Sequence, residues 1–314
     1  MMILVLGGGY LGSNLLDNFA KAGHQIHLGY RTKVTFYDYK IISHSMFTEC
    51  DFSQASLEAC IEKVKPDIIV NCIGHKNVEK CETDRVAALE ANVLVAQKIL
   101  DAIWMQEKLN KHIPSHFFHL STDYVFSGSG QNQWKVNDKL NPSTFYGLTK
   151  SMAESLIMKM PKLRTRSVII RAGGIYGYKM PLIESLIQAH KDKKPFQAYT
   201  NVKNSAVSSQ FLAQSILKMS KYITEDAIVH VGSSVPYTRY SLCLKIIKAL
   251  NLTVELKSSI YAGKLIPFNL SMLTKEYAEL TCQFDELINH YQCELPILPT
   301  ESDDADRFIS SLKI

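Results

Sequence analysis

Short apolar runs alternate along this chain with longer segments whose apolar residues recur at helical spacing. Met2 to Leu6 (MILVL) reads as a buried strand, and Leu11 to Ala22 follows it as an amphipathic helix. Gln25 to Gly29 and Met46 to Cys50 predict the second and third strands, and Ser53 to Val64 a helix with Ser53 as its N-cap. Pro66 precedes a fourth strand at Asp67 to Asn71 (DIIVN), and Glu82 to Leu109 reads as helix throughout. A strand at His116 to Ser121, a helix over Ser143 to Met160 and a sixth strand at Ser167 to Arg171 complete the series. Strands joined by helices of ten or more residues pair in parallel through right-handed crossovers. The predicted fold is α/β: a doubly wound parallel Rossmann sheet made of two mononucleotide-binding halves. Beyond Gly177 the pattern loosens, although a helix begins near Ser209 and Ile228 to Gly232 (IVHVG) reads as one more strand of the sheet. The expected organisation is a dinucleotide-binding domain over 1–177, with 206–250 returning to it. A smaller, discontinuous α/β substrate-binding lobe is expected from 178–205 and 251–314, with the acidic stretch near Glu301 to Asp306 at the surface.

Composition narrows the class. The 314 residues are 46% hydrophobic and 21% charged, the balance of a globular protein with a sizeable core. The net charge of +5 is spread along the chain and forms no basic stripe, which argues against a nucleic-acid partner. Seven cysteines, an odd number with no C-x-x-C pair, point to a reducing compartment and away from a disulfide framework or a zinc site. The apolar opening is too short for a signal peptide, and no stretch approaches the roughly 18 apolar residues that span a bilayer. A soluble cytoplasmic protein without membrane partner or metal site is expected, and homodimerisation stays open.

Candidate chemistry begins at Gly7-Gly8-Gly9-Tyr10-Leu11-Gly12, a G-x-G-x-x-G directly after a strand and opening a helix. Gly7 permits the tight turn, Gly9 lets backbone approach a pyrophosphate, and Gly12 lets the helix pack on the strand. Tyr10 and Leu11 open a helix whose N–H groups face the phosphates. A turn of this kind without a ligand is the bland alternative. About 20 positions on, where a carboxylate would bond the adenosine ribose, stands Arg31, with Lys33 nearby. Arginine there would pair with a 2′-phosphate, which selects NADP(H) over NAD. Asp51-Phe52 ends the third strand, where Asp51 either accepts from the adenine amino group or caps the next helix.

Tyr146 and Lys150 stand at i and i+4 on one helical face. A neighbouring ammonium lowers a phenol's pKa and makes Tyr146 a usable general acid or base. The strand HFFHLSTDYVF places Thr122 at its carboxyl end, the side on which open α/β sheets bind ligands. Thr122 there would hold the reacting oxygen near Tyr146.

These features together resemble an extended short-chain dehydrogenase/reductase, and within that superfamily the dTDP-4-dehydrorhamnose reductase group. The residues that carry the resemblance are Pro66 to Asn71, His75 to Glu82 (HKNVEKCE), Asn92, Ser121 to Phe126 (STDYVF), Tyr146 with Lys150, and Arg171 to Gly177 (RAGGIYG). It covers residues 1–180 well and fades into scattered matches such as Thr238-Arg239-Tyr240. The resemblance implies a nucleotide-linked keto sugar as substrate, reduced by NADPH. It implies that Tyr146 donates the proton, Lys150 lowers its pKa and holds the nicotinamide ribose, and Thr122 orients the carbonyl oxygen. Asp123 and Tyr124 would hold the sugar, and Cys72, Ile73 and Gly74 would line the cofactor, Cys72 by packing and not as a nucleophile. Asn92 would stabilise the site's backbone or simply pack its helix.

Three departures from the group stand out. The glycine turn is one residue shorter than the usual G-x-x-G-x-x-G. Tyr199 to Val207 (YTNVKNSAV) replaces an Asp-Gln then Pro-Thr segment, and Ile266-Pro267 replaces a late Arg-Pro pair. The last two fall in the lobe that recognises substrate. A nucleotide-sugar epimerase or dehydratase that keeps NAD bound remains open. So does a non-catalytic cofactor-binding partner like the regulatory β subunit of methionine adenosyltransferase.

Overall fold

The computed structural model describes residues 1–31, 46–130, 132–177 and 180–274. Lys33, Glu301 to Asp306 and the end of the expected substrate lobe, 275–314, lie outside the described residues. The first half runs β1 (Met2–Leu6), α1 (Tyr10–Lys21), β2 (Gln25–Tyr30), β3 (Met46–Glu49), α2 (Gln54–Val64), β4 (Ile68–Asn71), α3 (Val78–Thr83), α4 (Arg85–Leu89), α5 (Val95–Lys108), β5 (His116–Thr122), α6 (Phe145–Lys159) and β6 (Arg166–Ala172). The remainder runs β7 (Ile175–Tyr176), α7 (Pro181–Lys191), β8 (Phe196–Tyr199), β9 (Lys203–Asn204), β10 (Val207–Ser208), α8 (Ser209–Tyr222), β11 (Ala227–Val231), β12 (Tyr237–Thr238), α9 (Arg239–Ala249), β13 (Leu256–Ser259) and β14 (Asn269–Leu270).

Seven strands form one parallel sheet in the order β11-β6-β5-β4-β1-β2-β3. Strand order reverses between β1 and β4, which makes their carboxyl ends the crevice where such sheets bind ligands. Alternation along β1 shows how the core divides. Ile3 and Val5 face one layer with Leu15, Phe19, Leu212 and Ile216, while Leu4 and Leu6 face the other with Leu57, Ile61, Ile99 and Ile103. The inner strands β1, β4 and β5 are thus covered by helices on both faces, which explains their continuous apolar runs.

The helix expected over 82–109 is broken in two places. Asp84 ends α3 and turns its carboxylate onto the N–H of Ala87 at 3.0 Å, so it caps a new helix. Glu90–Leu94 then forms a wider π turn before α5 begins. By contrast Ser53 does cap α2, accepting from Ser56 N at 3.3 Å.

A second layer is built on β8 paired with β13, and on β9 between β12 and β14. The helix at 239–249, expected to return to the large sheet with 206–250, packs elsewhere. Leu242, Cys243 and Ile246 of α9 join Leu182, Ile183 and Leu186 of α7 and Ala198 of β8 in a separate apolar cluster. Its amphipathic pattern fixes a helix but does not say which apolar surface covers it. No helix of the described residues is long and apolar enough to cross a membrane.

Candidate active site

The glycine turn sits at the switch point. Gly7 has φ +101°, a conformation L side chains rarely adopt, and its N–H donates to the Gly29 carbonyl at 2.9 Å. A Cβ on Gly12 would strike the carbonyl of Gly7, whereas one on Gly9 would meet nothing within 4 Å. The first contact lets α1 pack close to the turn; the second leaves an open approach to backbone. Because Gly9 offers no side-chain cap, the first N–H groups of α1 are left for an anion. Leu11 packs against the sheet, and the Lys76 ammonium lies 5.2 Å from the centre of the Tyr10 ring. Lys76 is thus a cation beside the phosphate turn. Arg31 is exposed immediately after β2, two positions beyond the Gly29 that pairs with Leu6. The residues present therefore fit a dinucleotide with a further anionic group on its adenosine end.

Asp51 follows β3 at the same edge of the sheet. Its Oδ1 accepts from Ser53 N at 2.8 Å, and these bonds to Ser53 hold its carboxyl below the usual range. Phe52 between them is buried with φ +64°. Helix capping falls to Ser53, and Asp51 braces the turn. After β4, Asn71 Oδ1 accepts from Ile73 N at 3.0 Å and so shapes the Cys72-Ile73-Gly74 loop. Burial pushes the Cys72 thiol up to about 12, the opposite of what a nucleophile needs.

Thr122 and Tyr146 meet across β5 and α6, while Lys150, one turn on, reaches back onto β5. Thr122 Oγ1 donates to Asp123 Oδ1 at 3.0 Å and accepts from Tyr124 N at 3.3 Å, ending β5 in a tight turn. The Tyr124 and Tyr146 rings meet edge to face, centroids 5.5 Å apart and planes at 71°. Gly147 makes this approach possible, since a Cβ there would strike the carbonyl of Tyr124. α6 itself starts at a Thr144 cap, whose Oγ1 accepts from Gly147 N at 3.1 Å.

One expectation is corrected here. Tyr146 is pushed up to about 12 by burial, opposed by the Thr122 hydroxyl, and Lys150 contributes nothing to it. The reason is geometric: Lys150 Nζ donates to the Leu120 carbonyl at 2.5 Å and lies 3.3 Å from His119 Nε2. Burial lowers Lys150 to about 8, opposed by Glu154 and Cys72. Asp123 is raised to about 7 by burial, opposed by its bond from Thr122.

Behind the pair stands a buried brace. Glu154 accepts from Arg171 Nη2 at 2.7 Å and from Ser121 Oγ at 2.5 Å, all three being buried. Asn92, in the π turn, accepts from His75 N at 2.7 Å and donates to Thr149 Oγ1 at 2.9 Å. Its role is therefore to hold the backbone of the site.

Several residues of the site were not singled out as site residues by the sequence. Burial raises the pKa of Tyr124 and of Tyr176, Asp123 adds to the rise, and Arg239, at the start of α9, opposes it. These groups interact beside Tyr146, and Arg239 comes to them from the second layer, which sequence patterns resolve least. The first departing segment is joined to the residues that follow the second: Lys203 N donates to the Phe268 carbonyl at 2.9 Å, and β9 pairs with β14.

A Rossmann sheet carrying a phosphate turn and a Thr-Tyr-Lys constellation at its carboxyl edge defines an oxidoreductase of the extended short-chain dehydrogenase/reductase class. Within it, residues 1–283 match the family described as RmlD substrate binding domain, and the chain belongs to that family. It is 25% identical over 282 residues to the spore coat polysaccharide biosynthesis protein SpsK of Bacillus subtilis, covering 89% of this chain and 85% of that protein. It is 24% identical over 196 residues to the dTDP-4-dehydrorhamnose reductase of Aggregatibacter actinomycetemcomitans, covering 62% of this chain and 61% of the relative. The crystal structure of dTDP-4-dehydrorhamnose reductase from Bacillus anthracis in complex with NADP has the same fold. Its TM-score is 0.76 at 18% identity, covering 93% of this chain and 98% of that one.

Proposed function

We propose that this protein reduces a keto group, at C4, of a nucleotide-activated sugar with NADPH. The observation that carries this reading is the convergence of Thr122 and Tyr146 at the carboxyl end of β5, on the same edge of the sheet as the Gly7 turn and Arg31. Relatives named as dTDP-4-dehydrorhamnose reductases, one of them solved with NADP, support it.

Gly7, Gly9, Gly12 and the start of α1 would hold the diphosphate of the cofactor, and Arg31 its 2′-phosphate. When bound, NADPH supplies a hydride at the substrate carbonyl carbon. Thr122 donates to the carbonyl oxygen and orients it. Tyr146 gives its phenolic proton to that oxygen as charge develops, yielding the alcohol. A phenol held near 12 remains protonated at neutral pH, which suits the donor of a reduction better than the base of an oxidation. Lys150, turned from β5 toward the site as its ammonium, would pair with the phenolate left on Tyr146, which takes up a proton from water before the next turnover. Asp123, Tyr124 and Arg239 line the side on which the sugar nucleotide would lie. Of the described residues, 180–205 and 233–274 are the proposed substrate lobe.

Cofactor choice tests the first half of this reading. Arg31→Ala should weaken NADPH about ten- to hundredfold and leave NADH nearly unchanged, the loss of a charged hydrogen-bonded contact. Titrations of both cofactors by fluorescence measure this. NAD that copurifies tightly, with no response to Arg31→Ala, contradicts the proposal and points to an epimerase or dehydratase.

A further inference from the structure

His119 is buried on β5, 1% exposed, and lies directly under Lys150. Its hydrogen bonds have a polarity that can be worked out from one backbone group. Ile73 N–H donates to Asn71 Oδ1 at 3.0 Å, which fixes the Asn71 amide with its Nδ2 toward His119 Nδ1, 3.1 Å away. An NH₂ group donates, so Nδ1 of His119 accepts. Burial, the larger cause, holds His119 well below its ordinary pKa whether or not Lys150 is charged, so the ring is neutral and has a single N–H. That hydrogen must be on Nε2, and Nε2 is the atom that faces Lys150 Nζ at 3.3 Å. An ammonium has three donors and no acceptor, so it would oppose this N–H hydrogen to hydrogen. A neutral amine has a lone pair to receive it, and can still donate to the Leu120 carbonyl.

We propose that His119, locked as its Nε2–H tautomer by Asn71, is a positioning residue that donates to the amine form of Lys150 against β5 and so weakens the grip of Lys150 on its proton. The inference rests on the proposed function, because only that reading gives Lys150 a partner elsewhere. Turned away from His119 toward hydroxyl acceptors such as those of a ribose, Nζ would hold its proton more tightly and stand as a cation beside Tyr146. The chain Ile73–Asn71–His119–Lys150 then links the loop after β4 to the charge of the catalytic helix. Other charged or titratable groups face Nζ as well. Glu154 on α6 and Cys72 after β4 favour the ammonium, and burial opposes it. The histidine adds to the burial side.

The direction of one titration separates the two protonation states. Cofactor-free protein, isotope-labelled at the lysine ε-carbons, is titrated by proton–carbon NMR, with the Lys150 signal assigned from a Lys150→Arg variant. His119→Leu removes the donor, so the Lys150 midpoint should rise by about one pH unit, a tenfold gain in proton affinity. A midpoint that falls means that the histidine accepts from the ammonium and overturns the proposal, as does one that does not move. If His119→Leu does not fold, the imidazole nitrogen shifts of the wild type identify the tautomer directly. Nε2–H supports the proposal and Nδ1–H overturns it. Neither measurement uses turnover. A protein with the predicted shift that reduces no sugar nucleotide overturns the function alone, and an active one without the shift overturns this inference alone.

Discussion

The side-chain amide of Asn92 donates to Thr149 Oγ1 at 2.9 Å, and Thr149 in turn donates to the carbonyl of Tyr146 at 2.8 Å. A residue in a distorted turn before α5 thereby holds the first turn of the catalytic helix, while its Oδ1 holds the loop after β4 through His75 N. Both loops that border the site are tied to one buried amide. Asn92→Ala should therefore destabilise the fold by about 2–3 kcal/mol, because it leaves the His75 N–H without an acceptor and Thr149 Oγ1 without that donor. Urea denaturation measures this, and a loss under about 0.5 kcal/mol would mean that the π turn is held by packing instead.

The Glu154–Arg171 pair predicts strong non-additivity. Both groups are almost fully enclosed, so removing one strands the other. Glu154→Leu or Arg171→Met alone should cost about 3–5 kcal/mol, while the two together should cost far less than the sum. A double-mutant cycle on unfolding free energy checks this. Additive losses would show that the two side chains do not act as a pair.

Asp123 predicts a pH dependence of stability. Its carboxyl titrates near 7 in the folded chain against an ordinary value of 3.8. Between those values the native state binds a proton that the unfolded chain releases. Stability from this group is therefore present below about 4 and is lost as pH rises toward 7, with a slope of at most about 1.4 kcal/mol per pH unit. Asp123→Asn should flatten that slope in unfolding measured from pH 4 to 8. A variant as pH-dependent as the wild type would show that burial does not set this carboxyl.

Much of this architecture is legible in the chain because the sheet is parallel and covered on both faces. Runs such as Ile68–Asn71 and Val168 to Ala172 can only be buried strands, and Gly7 to Gly12 can hardly be anything but the turn between strand and helix. Thr122, Tyr146 and Lys150 are visible because their spacing and their place at a strand end carry the chemistry. What escapes depends on contacts between distant segments. Asp84 looks like an ordinary helical residue until its carboxylate caps α4. Arg239 reaches the site only because α9 packs on α7 and β8. The partner of Lys150 is hidden for the same reason: helix spacing places it near Tyr146, whereas β5 supplies the carbonyl of Leu120 and the ring of His119.

The most direct test follows the hydride. NADPH carrying deuterium at either face of nicotinamide C4 is incubated with the protein and a dTDP-linked 4-keto-6-deoxy sugar, and the sugar product is weighed by mass spectrometry. The proposed reduction predicts a product alcohol with one deuterium from one of the two labelled cofactors, formed in equal amount to the NADP⁺ released. Tyr146→Phe should lower the rate by about a hundred- to ten-thousandfold, the usual worth of a general acid. A protein that binds NADPH but transfers no deuterium to the 4-keto sugar would contradict it.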